Sequence, residues 1–302
     1  MDFDLENPLT TTEGCQNCCS FEALFANESD HMPSNSLFLS SNSHEELRIS
    51  LRRQVFSLIS QAHYCYNVDP FVTYLAVNYV DRFITKTKNL KQNRWIVEIF
   101  AISSLSLAAK MMNTDISDSL SNLQRNEGCF FEFQSIHRME ALILTTLSWR
   151  MRSITPFSFF NFFISMFEIK DSSLIQALKL RASHIIFNSH HEMKLLEHKP
   201  SVIAASALLC ATHELIPAEF SSFEAGIISC QYVNNEGLLK CLSVMRDMEE
   251  GCGALLSSST LTPWSVLDQH YEASEEGDSV KRRRLNDFCS DGMYQFSQIQ
   301  HC

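Results

Sequence analysis

Two side chains could do chemistry that the residues around them do not explain. Lys110 closes the stretch SLSLAAKMM, and between Ile96 and Ala109 the only charged residue is Glu98. A run that is small or apolar on every side reads as a helix in the middle of a core, and lysine seldom goes under without a partner. In FQSIHRMEALILTTLSWRM, Ile136, Met139, Ile143, Leu144 and Leu147 make an apolar helical face. Glu140, four residues after Ile136, falls on that same face. An ammonium and a carboxylate at the edges of covered faces are costly if left dry and unpaired. Two arrangements relieve the cost. One is an internal ion pair, or a lysine that snorkels to water. The other is a rim where a second protein docks and its backbone groups complete the hydrogen bonds. A further pair, Arg52 in ISLRRQVFSLIS and Asp81 in VNYVDRF, has the makings of a buried bridge that holds two helices in register.

Catalytic patterns fail on inspection. His191-Glu192-Met193-Lys194-Leu195 begins like a zinc-protease helix, but leucine stands where the second histidine belongs. His190 and His191 read as the exposed end of a helix. Glycine is too scarce for a phosphate-cradling loop, and no G-x-S-x-G elbow occurs. Cys15, Cys18 and Cys19 supply one C-x-x-C, a zinc half-site with no second half at finger spacing. No catalytic residue, metal or cofactor is expected. Of the 11 cysteines, Cys210 and Cys241 lie in apolar stretches where a thiol packs as a small hydrophobe.

The elements that must position these charges are helices. The chain has only 8 glycines against 22 phenylalanines, and folds rich in hairpins need glycine at their turns. Asp69-Pro70 offers an N-cap with proline at the first helical position. Val72, Leu75, Ala76, Tyr79, Val80 and Phe83 then repeat at helical spacing. Thr155-Pro156 and Pro200 repeat the start signal, and a last helix runs from about Asn235 to Glu249. Two Ser/Ala-rich helices, AISSLSLAAK and SVIAASALLCA, could each be the hub of a bundle, which suggests a duplicated helical domain with its boundary near Ser153. Residues 1–43 read as a mostly disordered leader, 44–153 and 154–250 as the two helical domains, and 251–302 as a disordered polar tail. A net charge of −11 opposes tight binding to nucleic acid. The acidic start MDFDLENPL is no secretory signal, and no apolar run is long enough to span a membrane. A soluble, intracellular protein is expected. The tail carries Lys281-Arg282-Arg283-Arg284, which fits a nuclear-import signal, so the nucleus is the expected location, with the cytoplasm as a second.

These stretches together resemble a cyclin, and specifically a plant D-type cyclin. LRRQVFSLISQAHYCYNVDPFVTYLAVNYVDRFIT, SLSLAAKM, IHRMEALILTTLSWRMRSITPFSFFNFF and HKPSVIAASALL follow the family's order and spacing across about residues 45 to 250. The resemblance implies an all-α protein of two consecutive five-helix cyclin folds. It implies that Lys110 and Glu140 match the family's lysine and glutamate that contact the cyclin-dependent kinase, and that Arg52 and Asp81 match its buried bridge. The implied function is a regulatory subunit that activates such a kinase at the G1/S transition, with a retinoblastoma-related protein as a substrate of the complex.

The chain also departs from the pattern. No L-x-C-x-E stands near its start, as in the subclass lacking that retinoblastoma-binding motif. The family's substrate-docking patch usually has a tryptophan where Leu58 stands. Only Leu51, Val55 and Leu58 remain apolar there, beside Gln54 and Gln61, and for Val55 core packing is the competing reading. The rival function is a transcription-machinery or pocket-type adaptor that uses the same fold without a kinase, because fold alone does not fix function.

Overall fold

Asp69 and Pro70 start a helix as their types dictate: the Asp69 carboxylate accepts from the amides of Phe71 and Val72, and Pro70 occupies the first turn. The computed structural model describes residues 18–33, 43–87, 93–167, 169 and 171–256. All regular structure among them is helical. In chain order it comprises α1 (Cys18–Asn27), a 3-10 turn (Glu28–His31), α2 (Ser43–Tyr66), α3 (Pro70–Lys86), α4 (Arg94–Met111), α5 (Ser117–Glu127) and α6 (Phe133–Thr146). Then follow a 3-10 turn (Pro156–Phe159), α7 (Phe160–Ser165), α8 (Ser172–Ser189), a 3-10 turn (Met193–Glu197), α9 (Pro200–Leu215), α10 (Phe220–Ile228) and α11 (Asn235–Leu256). The expected pair of five-helix units is present, α2–α6 and α7–α11.

The two Ser/Ala-rich helices are the hubs. α4 packs against α2, α3 and α6, while α9 packs against α7, α8, α10 and the Pro156–Phe159 turn. Their small side chains let neighbours close in from all sides, and both helices are buried along most of their length. Every residue of the apolar series from Val72 to Phe83 is buried too. Gly128, at φ 67°, ends α5 in the left-handed conformation that glycine adopts without strain.

Between the units the chain is pinned rather than loose. Tyr79 donates its hydroxyl to the Met151 carbonyl at 2.8 Å. The Arg82 guanidinium donates to Ser153 Oγ and to the Arg150 carbonyl, each at 2.8 Å. Ser148 and Trp149 have positive φ of 54° and 59°, a conformation unfavourable for non-glycine residues, and their amides donate back to the carbonyls of Thr145 and Leu144 at the end of α6, at 3.0 and 2.9 Å.

One expectation is corrected. Residues 18–33, inside the leader assigned as disordered, form α1 and a 3-10 turn that pack onto the second unit. Phe25 stacks on Tyr232 at 4.4 Å and lies 4.8 Å from Phe159, and Leu24 is buried beside it. Phe21, Leu24 and Phe25 do carry a helical repeat, but it spans one turn and polar flanks dilute it. Glu28 follows and is fully buried. Its carboxylate accepts from the Ser201 amide at 2.9 Å and the Ser201 hydroxyl at 3.1 Å, with Lys199 at 3.4 Å. It therefore caps α9, whose own preceding residue supplies no side-chain cap. Burial raises the Glu28 pKa against these partners.

His31 ends this segment, and its buried Nδ1 has no hydrogen-bond partner. Burial, then the nearby Arg82 charge, lowers its pKa from 6.5 to about 4, with Asp30 opposing and Arg150 and Lys86 adding to the depression. The folded protein thus prefers the neutral ring, so this contribution is complete above the unfolded pKa of 6.5 and is lost as pH falls towards 4. Glu28, with its raised pKa, acts in the opposite sense, its contribution being lost as pH rises. A His31→Asn variant isolates the histidine: its urea midpoint should fall less than the wild type's between about pH 7 and about pH 4. Equal falls would show that His31 is solvated when folded.

The disordered assignments are corrected at their inner ends too, since α2 takes in Ser43 and α11 runs on to Leu256. Residues 1–17 and 34–42, the tail beyond 256 and the basic run Lys281–Arg284 lie outside the described residues.

Candidate protein-binding site

Helices α4 and α6 lie side by side and bring the two unexplained charges together. Lys110 Nζ sits 2.6 Å from Glu140 Oε1. The pair is not deep in the interior: the lysine side chain is 53% exposed, while that of the glutamate is 5% exposed. His137, one turn before Glu140, brings Nδ1 to 3.1 Å from Oε2. The carboxylate is therefore a buried anchor, and the ammonium stands on a ledge open to solvent. Both arrangements open from the sequence are met in part. The charges pair with each other, and the lysine keeps donor capacity directed outward.

The ledge continues along α6. Phe133, His137 and Glu140 fall at i, i+4 and i+7 on one face, and the Phe133 ring meets His137 edge-on at 4.1 Å. Phe133 is an exposed aromatic, as are Phe130 just before the helix and Trp95 near the start of α4. Sequence reasoning passed over these aromatics. The signal was there: CFFEF places bare phenylalanines at a helix start among polar residues, where a core helix would hide them.

Arg52 and Asp81 form the buried bridge expected of them, Nε to Oδ1 at 2.7 Å and Nη2 to Oδ2 at 3.2 Å. Arg52 does more than tie α2 to α3. It also donates to the carbonyls of His190 and His191, at 3.1 and 3.3 Å, where α8 ends. One guanidinium thus joins the two units. Burial pushes the Asp81 carboxyl up, and Arg52 works against that shift. The reading of His190 as an exposed helix end is corrected by the same geometry: its ring stacks on Tyr74 at 4.2 Å. Its pKa falls well below 6.5, through burial first and then the Arg52 charge.

The docking patch is corrected as well. Leu51 and Val55 are 1% and 0% exposed, part of the packing under α2, and only Leu58 is partly open. A helix face that turns two of its three apolar residues inward has little left to offer a peptide. Among the described residues no group of His, Cys, Asp or Glu could hold a metal ion. None of the described helices is long and apolar enough to cross a membrane.

Comparison with known proteins places the chain in a family. Residues 20–152 match the model of the cyclin N-terminal domain and residues 154–265 that of the cyclin C-terminal domain, so the two matches meet at Ser153. Cyclin-D6-1 of Arabidopsis thaliana is 41% identical over 290 residues, covering 93% of this chain and 94% of that protein. Cyclin-D6-1 of Oryza sativa is 37% identical over 287 residues, covering 92% and 84%. A viral cyclin from Herpesvirus saimiri shares the fold at TM-score 0.59 and 15% identity, covering 78% of this chain and 98% of that one. With both domain models matched in order and two cyclin-D6 relatives aligned over nearly the whole chain, this protein belongs to the cyclin family, and within it to the plant D-type cyclins.

Proposed function

We propose that this chain is the regulatory subunit of a cyclin-dependent serine/threonine kinase, and that the α4/α6 ledge is where the kinase docks. The observation that carries the reading is the half-exposed Lys110 held over a buried Glu140. A buried carboxylate fixes the ammonium in place, so the surface is set before the partner arrives and loses little side-chain entropy on binding. Phe133, exposed on the same face of α6 and packed edge-on against His137, supplies the large, rigid contact area that binding hot spots favour.

The mechanism is differential binding. A kinase whose αC helix is turned outward separates its αC glutamate from the β3 lysine that positions ATP. A rigid surface complementary only to the inward αC shifts the population towards the active form. This chain catalyses nothing itself and needs no cofactor. In the cell the complex would promote the G1/S transition and cell division. It would act in the nucleus, with Lys281, Arg282, Arg283 and Arg284 as the import signal. A retinoblastoma-related protein would be a substrate, recruited without L-x-C-x-E or a full docking patch.

The test is reconstitution. The purified full chain, mixed with a plant cyclin-dependent kinase, should raise phosphorylation of a retinoblastoma-related substrate many-fold over kinase alone. Failure to bind or stimulate any member of a panel of such kinases would overturn the reading.

A further inference from the structure

The end of α3 gathers cations that the kinase ledge does not use. Arg82 is 1% exposed, and among the described residues its guanidinium donates to a carbonyl and a serine hydroxyl alone. Among the described residues no carboxylate pairs with it, which is unusual for a buried charge. One turn later on the same helix, Lys86 is exposed and likewise forms no ion pair among the described residues. Arg150, whose carbonyl Arg82 holds, adds a third cation. Among the described residues its side chain pairs with Asp30 alone, at 3.1 Å, with both side chains 58% exposed. Burial, then the Arg82 and Arg150 charges, holds the Lys86 pKa below its ordinary value. Three cations thus meet one carboxylate on a chain whose net charge is −11.

We propose that Lys86 and Arg150, backed by the buried charge of Arg82, form a binding site for a phosphorylated side chain of a peptide, which displaces Asp30 from Arg150. A phosphoryl group brings more charge than a carboxylate and three strong acceptor oxygens. Arginine's planar fork suits it, with lysine as the accompanying point charge. Asp30 is weak competition, because an exposed ion pair contributes little. Two exposed cations on an acidic protein match a single dianion, whereas a nucleic acid needs a longer basic track. Because Asp30 belongs to the turn that also holds Glu28, occupation of the site would loosen one attachment of the N-terminal segment. The proposal stands apart from the kinase reading, and its test contains no kinase.

The full chain is titrated, with isothermal titration calorimetry as the readout, against an end-blocked phosphoserine peptide with glycine and alanine flanks. Its unphosphorylated twin and a short single-stranded oligonucleotide are titrated alongside. The phosphopeptide should bind and the twin should not. Lys86→Ala and Arg150→Ala should each weaken binding by about tenfold, the weight of one charge-assisted hydrogen bond. Asp30→Asn should tighten it by removing the competitor. All three side chains are exposed, and circular dichroism checks that the variants stay folded. The proposal is overturned if both peptides bind alike, if neither binds, if the cation variants keep wild-type affinity, or if the oligonucleotide is preferred.

Discussion

Arg52→Ala is expected to cost about 3–5 kcal/mol of folding stability, the range for removing one partner of a buried ion pair. The loss has two sources. Asp81 would be left buried and without its cation, and burial already opposes its ionised form. The carbonyls of His190 and His191 at the end of α8 would lose their donor as well. Arg52→Lys should rescue little, since one ammonium cannot reach two carboxylate oxygens and two carbonyls together. Asp81→Asn should cost less, because it removes a charge and keeps an acceptor. Urea unfolding followed by circular dichroism measures all three. A loss below about 1 kcal/mol for Arg52→Ala, the size of an exposed bridge, would mean that this node does not join the two units.

The second large effect concerns the ledge. Lys110→Glu should weaken kinase binding by about a hundredfold or more, since truncating one member of a desolvated interfacial charge pair costs about 2–5 kcal/mol. Lys110 is the right residue to change because it stands half in water. Reversal at Glu140 is a poorer test, for that carboxylate is buried and its loss would disturb α6 itself. Lys110→Met removes the charge, keeps the stem, and should lose affinity with the helical spectrum intact. Kinase binding measured by surface plasmon resonance, beside circular dichroism of each variant, separates the outcomes. Unchanged affinity with unchanged structure would make the pair a structural bridge and move the docking face elsewhere.

Much of this protein was legible because helices write a local code. The all-helical class followed from scarce glycine and abundant apolar residues. The start of α3 followed from Asp69-Pro70, and the two hubs from runs of serine and alanine. The charges at Lys110, Glu140, Arg52 and Asp81 stood out because each fell on or beside an apolar face. Arg52 and Asp81 were expected to pair, and they do. For Lys110 and Glu140 the resemblance pointed to contacts with a kinase, and the structure pairs them with each other while leaving the lysine half exposed.

The rest depended on contacts between residues far apart in the chain, which no local period records. Glu28 caps a helix 173 positions away, and Arg52 reaches carbonyls 138 and 139 positions away. Leu51 and Val55 carry the same apolar pattern whether a face is covered or open; packing decided that they are covered. Arg82 is a further case. A polar residue beside Asp81 gave no sign of being the more unusual buried charge until the segment around Ser153 folded over it. Sequence thus determined which elements form and which faces want covering. Only the tertiary structure decided what covers them, because burial is settled by the neighbours a face acquires.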